Sequence, residues 1–442
     1  MSLHTLPAPL EPASFGEVIE ESHIFAKITR ILVPFMFLLY VVGYLDRINV
    51  GFAALTMKAD LRLSEKAYGF GAGFFFIGYF LFEVPSNLIL ERVGARRWIA
   101  RIMVTWGFIA CGMMFIRGAV SFNSLRFLLG AAEAGFFPGM VLYLTYWYPA
   151  KRRAKAMSVF LTSTAIAGVI GAPVSAICLK MNGVGQLAGW QWLFLLQGLP
   201  SIVLGVIVLF YLPDGPHQAK WLSESEKNWL NEHLGTARAV SAHQHRLTLS
   251  DALRDSRLWL LSAIYFLLIS GLYTFSLWAP AVLKKAVPSL SDPQVSLLLA
   301  IPYGVASIGM VLIGHHSDQT GERHWHIVVP SLLGCLGLVA TAFAHTAPVA
   351  LGTLSIAALG IWGTLGTFWT LPTSFLRGSA AAGGIAIVNS LGCLSGFVAP
   401  YAIGLSRERS GGFAAGLIGV GFTVLCGGLL VLCVPLHEGE DK

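Results

Sequence analysis

The chain has 442 residues, of which 55% are hydrophobic and only 12% charged, with a net charge of +7. A soluble domain carries about a quarter of charged residues, so water is not the main solvent of this chain. Its basic residues sit in short loops between apolar stretches and form no exposed stripe, which argues against a nucleic-acid partner.

Taken in chain order, the first residues carry Glu11, Glu17, Glu20 and Glu21 ahead of any Lys or Arg. A signal peptide needs a positive leading segment and a small-residue cleavage site, and both are missing. Residues 1–30 therefore read as a cytoplasmic, partly disordered tail. A bilayer core about 30 Å thick takes ~20 mostly apolar residues per helix. Such stretches recur at Ile31–Leu55, Ala67–Leu90, Trp98–Ile116, Ser121–Trp147, Ala156–Met181 and Trp190–Leu212, which makes a first unit over residues 31–212. Residues 213–257 form the longest hydrophilic stretch, a linker with a helix-like run at Ser223–Leu234. A second unit over 258–435 holds Leu258–Leu283, Val295–Gly314, Ile327–Phe343, Pro348–Leu371, Ala380–Leu405 and Gly412–Leu432, and residues 436–442 are a second tail. Runs such as Trp190–Leu212 lack the alternation of an outer-membrane barrel. The expected fold is all-α and integral to the membrane, with twelve spans.

Lys and Arg cluster after the second span (Arg92, Arg96, Arg97, Arg101) and after the fourth (Lys151, Arg152, Arg153, Lys155). The bias of basic residues toward the cytoplasmic side then places both termini there. The six cysteines fall in apolar stretches without CxxC spacing and read as core residues. His243-Gln244-His245, His315-His316 and His324-x-His326 read as solvated loop histidines, so no metal is expected.

The loop after span two reads Glu91-Arg92-Val93-Gly94-Ala95-Arg96, and the loop after span eight reads Asp318-Gln319-Thr320-Gly321-Glu322-Arg323. Both are acid-x-x-Gly-x-Arg at matching positions, which points to two six-helix units related by duplication. The glycine suits a tight turn, and the acid and arginine suit pairing across helix ends. This pair resembles the loop motif of the major facilitator superfamily, whose members fold as two six-helix bundles around a central cavity. Tyr44-Leu45-Asp46-Arg47-Ile48-Asn49, Val84-Pro85-Ser86-Asn87, Gly94-Ala95-Arg96-Arg97-Trp98 and Glu133-Ala134-Gly135-Phe136-Phe137-Pro138-Gly139 together resemble its anion:cation symporter family. Members of that family import sugar acids, tartrate, phthalate or hydroxylated aromatic acids, and animal relatives move anions such as sialic acid and glutamate.

An ionisable residue inside a span is expensive and by default marks an ion or substrate pathway. Asp46, Arg47, Arg126 and Glu133 lie well inside, while Glu83 lies nearer the cytoplasmic end of its span. At 1.5 Å per residue, Asp46 and Glu133 share a depth of about 21–23 Å from the cytoplasmic side. Arg126 precedes Glu133 by two turns, which puts it on the same helix face nearer the outer surface. A carboxyl group can carry a proton, and an arginine fork suits a substrate carboxylate. The resemblance implies that Asp46 and Glu133 are the protonation sites, with Arg47 and Arg126 in the same charge network. It also implies that Tyr44, Tyr79, Trp369 and Asn389 line the cavity with Arg47, and that Glu91, Gly94, Arg96, Asp318, Gly321 and Arg323 are the cytoplasmic gate motifs.

The expected function is import of a small organic carboxylate by proton symport with alternating access. No cofactor takes part, since the proton gradient drives it. The partners are the anion, protons and the lipid bilayer, and the expected state is a monomer in a bacterial inner membrane. The alternative is an exporter of the same fold. Against it, span five carries Gly168-Val169-Ile170-Gly171-Ala172-Pro173 and not the longer glycine-proline pattern of antiporters. An enzyme or sensor is least favoured, because no nucleophile with a base, metal pair or phosphate loop is present.

Overall fold

The computed structural model describes residues 15–244, 253–375 and 378–435. Residues 1–14 of the first expected tail, the whole of the second (436–442) and His245 lie outside the described residues. The chain runs through α1 (Phe15–Asp60), α2 (Glu65–Val93), α3 (Ala95–Gly112), α4 (Ala119–Glu133), α5 (Phe136–Thr145), α6 (Ala150–Lys180) and α7 (Gly189–Tyr211). The linker helix α8 (Glu224–Gln244) follows. The second half comprises α9 (Ser256–Ala286), α10 (Asp292–Leu298), α11 (Ala300–Thr320), α12 (Trp325–Thr341), α13 (Ala347–Phe368), α14 (Thr370–Phe375), α15 (Gly378–Cys393), α16 (Ser395–Ser410) and α17 (Ala414–Leu430).

Among the described residues, eleven helical segments are long and apolar enough to cross a membrane, and α12, with 17 residues, adds a shorter apolar helix. Helices satisfy their own backbone polar groups, which is what hydrocarbon demands. Large apolar side chains such as Phe108, Phe210, Ile308 and Leu312 remain exposed around the outside, while the charged Asp46, Arg47, Glu83, Arg126 and Glu133 are buried inside. That inversion of the soluble pattern marks a multi-pass membrane protein.

The halves pack by one scheme. Across the interface α1 meets α9, α2 meets α16, and α6 meets α10 and α11. Exchanging the halves turns the contact between spans two and eleven into that between spans eight and five, as duplication requires. On the face opposite the linker the halves are closed. A Cβ on Gly69 would lie 2.6 Å from the Pro400 carbonyl oxygen, Tyr68 donates to the Leu277 carbonyl at 3.0 Å, and Arg407 pairs with Glu65 at 3.1 Å.

The structure differs from the expectations in three places. The tail expected over residues 1–30 is helical from Phe15, continuous with the first span. Ile24, Phe25, Ile28 and Leu32 form a buried stripe at helical spacing. Phe25 meets the ring of Trp229 on α8, and Lys27 pairs with Glu226 at 2.8 Å. Glu226 and Ser223 close a capping box at the start of α8, the Glu226 carboxylate accepting from the Ser223 N–H at 2.7 Å. Burial pushes the Glu226 carboxyl up, but Lys27 and the Ser223 N–H outweigh it and hold the group below the usual carboxylate range. The fourth span breaks after Glu133 into α4 and α5. Finally, Cys426 and Cys433 lie on the exposed outside, whereas Cys178, Cys335 and Cys393 are core residues as expected.

Candidate transport site

Between the halves lies a small cavity. Tyr44, Arg47, Tyr79, Trp369 and Asn389, the five residues implied to contact substrate, all line it. Tyr40 lies one turn before Tyr44 on α1, and with Tyr265 and Tyr273 it makes the wall largely phenolic. These tyrosines had no motif to announce them, although Tyr40 shares the α1 face of Tyr44 at the i, i+4 spacing. Trp369 is at the junction of α13 and α14 and meets Phe137 across the interface, ring centroids 6.2 Å apart. Its indole Nε1 is buried without a hydrogen-bond partner among the described residues.

Arg47 supplies the positive charge. Its guanidinium lies over the Tyr44, Phe75 and Tyr79 rings at 5.9, 5.5 and 5.3 Å and forms a buried ion pair with Glu133. The Glu133 Oε2 and the Arg47 Nε have no hydrogen-bond partner among the described residues. Glu133 ends α4, and the turn that follows is enforced by Gly135 at φ +85°. A Cβ there would also lie 2.2 Å from the Ser86 hydroxyl. That break aims Glu133 at Arg47.

Among the described residues Glu133 pairs with Arg47 and not with Arg126. Arg126 is fully buried, donates to the Ala72 carbonyl at 2.8 Å, and lies 4.8 Å over the Phe75 ring. Its Nε and Nη1 have no hydrogen-bond partner among the described residues. Helix spacing gave the right face, but the α4–α5 break hands Glu133 to the neighbouring α1. Asp46 points away from the cavity into the first bundle, where it accepts from the Trp106 indole at 2.8 Å and the Ser201 hydroxyl at 2.6 Å. The two acids share a depth, but only Glu133 touches the cavity arginine.

Sequence reasoning set Glu83 aside for its position near a helix end. It is fully buried, and the Asn389 amide donates to its Oε1 at 2.8 Å while the Ser390 hydroxyl donates to Oε2. Partners 306 and 307 residues away leave no local signal.

At the loop motifs, Gly94 adopts φ +93° and Gly321 φ +70°. In the second copy Arg323 pairs with Asp318 at 2.7 Å, as expected. In the first copy Arg96 turns to Asp214, at 3.3 Å by its side chain and 3.0 Å by its backbone N–H. The Glu91 side chain lies outside the described residues. Near the second motif His326 bonds Glu322 at 2.7 Å, and His316 lies 2.6 Å from His326.

Two helical bundles meeting over a cavity lined by the Arg47 guanidinium have the form of a solute transporter. The sequence model of the Major Facilitator Superfamily matches residues 36–400. The chain belongs to that superfamily. It is 47% identical over 421 residues to a protein of Agrobacterium vitis named "Putative tartrate transporter", covering 95% of this chain and 96% of the relative. It is 41% identical over 422 residues to a "Quinolone resistance transporter" of Acinetobacter baumannii, covering 96% and 97%. Among solved structures it is similar in fold to the xylose transporter XylE from E. coli, with a TM-score of 0.71, 16% identity, and coverage of 93% of this chain and 99% of that one.

Proposed function

We propose that the protein imports a small organic carboxylate with protons by alternating access across a bacterial inner membrane, with both termini cytoplasmic. The observation that carries this reading is the Arg47–Glu133 ion pair at the wall of the cavity. A buried charge whose partner is removed is strongly destabilised, so an unpaired Arg47 demands another anion. Protonation of Glu133 frees the guanidinium fork, and a substrate carboxylate takes it. Deprotonation returns Glu133 to Arg47 and expels the substrate. Asp46, held by Trp106 and Ser201, serves as the second proton site within the bundle. Its three partners sit on α1, α3 and α7, so its charge bears on how those helices pack.

Tartrate is the natural first substrate to try, given the name of the 47% identical relative. No cofactor takes part, and a single chain encloses the whole site. In proteoliposomes of the purified protein, tartrate or another sugar acid accumulates when the lumen is more alkaline than the bath. Equal accumulation after the gradient is collapsed with an ionophore refutes coupling. A second reading, proton-coupled export, is favoured by the name of the Acinetobacter relative. Proton-driven loading of everted vesicles with a quinolone would establish it.

A further inference from the structure

Three carboxylates are buried among the described residues, Asp46, Glu83 and Glu133. Glu83 alone of these is bonded across the interface, from α2 of the first bundle to α15 of the second. No basic side chain pairs with it among the described residues. Its two oxygens meet two donors, the Asn389 amide and the Ser390 hydroxyl.

That arrangement fixes the neighbour. An ionised carboxylate only accepts, so with Glu83 in that form the Asn389 side chain turns its NH2 to it, as the 2.8 Å bond has it. The amide is planar, and its carbonyl oxygen is then the end left for other partners. Asn389 lines the cavity, and its Oδ1 has no hydrogen-bond partner among the described residues. The wall at this point therefore offers an acceptor. A substrate carboxylate is repelled by an acceptor, whereas a substrate hydroxyl is satisfied by it. Arg47, on the α1 side of the same cavity, offers donors and a positive charge. The cavity thus sets an acceptor at Asn389 against the donors of Arg47 on the first bundle and of the Trp369 indole on the second.

We propose that Glu83 is a positioning residue that makes this transporter select carboxylates bearing a hydroxyl group over the same skeleton without it, by fixing the orientation of Asn389. The inference rests on the organic-carboxylate reading above. A site that hydrogen-bonds a substrate hydroxyl leaves a buried polar group unpaired when the analogue lacks it, and discriminates accordingly. Because Glu83 and Asn389 belong to different bundles, the acceptor is oriented only when the halves are together on the linker side. The hydroxyl is therefore tested as the cavity closes there.

The test uses matched acids, L-malate or tartrate against succinate and 4-hydroxyphenylacetate against phenylacetate, with affinities measured for the full-length protein in proteoliposomes. Wild type favours the hydroxylated member of at least one pair by about tenfold or more. Glu83→Gln, whose amide can both donate and accept, no longer dictates the Asn389 orientation and brings the ratio to within about twofold of unity while the deoxy acid binds as before. Asn389→Ala loses the ratio equally, and the double variant loses no more, since the two residues act as a unit. A purely structural role for Glu83 would lower both members of a pair together and leave the ratio intact. An unchanged ratio in Glu83→Gln, or in Asn389→Ala if the first variant does not fold, overturns the inference. A wild-type protein that takes up both members of every pair equally overturns it too, with the carboxylate reading intact. Failure to bind any acid removes that reading and this inference together.

Discussion

Arg47 and Glu133 share one buried ion pair, and the consequences of removing either partner differ. Glu133→Gln leaves the guanidinium permanently free for substrate. This variant is expected to bind substrate at least as tightly as wild type and to exchange it across the membrane, while proton-driven accumulation is lost; weaker binding measured by ligand-dependent thermal shift would contradict it. Asp46→Asn keeps an oxygen that can accept from Trp106 and Ser201 but no longer ionises, at a place away from the cavity. It is expected to abolish accumulation with little change in affinity. Arg47→Lys keeps the charge but not the planar fork, and is expected to weaken binding by about tenfold or more, or about 1.4 kcal/mol, with the melting temperature nearly unchanged. Unchanged affinity would leave Arg47 a packing residue. At this scale the motifs placed Tyr44, Arg47, Tyr79, Trp369 and Asn389 on one cavity, but not the partners of the charges. Which acid meets Arg47 depends on a backbone break after Glu133, and what Glu83 meets depends on a helix 300 residues away. Neither is encoded in local spacing.

The helices explain where those charges stand. Gly135 is the element-scale hinge of the site, with a positive φ that an L side chain rarely adopts and no room for a Cβ beside Ser86. Gly135→Ala is expected to destabilise the first bundle by about 1–3 kcal/mol and to disturb the Arg47–Glu133 pair. Gly112→Ala is the control, because nothing lies within 4 Å of the added methyl group. Equal melting temperatures for the two variants in detergent would show that the α4–α5 break is not enforced by glycine. The spans themselves were legible because twenty-residue apolar runs have few other uses. The helix over Phe15–Arg30 was not, since its buried stripe packs on the linker helix and its sequence is polar on the other face. The break in span four was hidden for another reason. Glycine within a membrane helix is common, and only its φ shows a turn.

At the scale of the molecule, the matching interface contacts of spans two with eleven and five with eight are the physical counterpart of the duplicated loop motif. Rocking of one bundle against the other about the cavity requires both faces to part and rejoin. On the face opposite the linker, the approach at Gly69 is too close for any side chain. Gly69→Leu is therefore expected to hold that face apart, reducing transport by about tenfold or more while substrate still binds from the propped side. Wild-type transport rates would show that this face need not close as tightly as it does here. Proton coupling joins the scales, because a proton on Glu133 must change which face opens. The most direct measurement is of proton movement itself. Proteoliposomes loaded with a pH-sensitive dye and given no imposed gradient receive external tartrate, or whichever acid binds. The lumen is expected to acidify as substrate enters, in the wild type and not in Glu133→Gln. Substrate entry without any change in lumenal pH would contradict it.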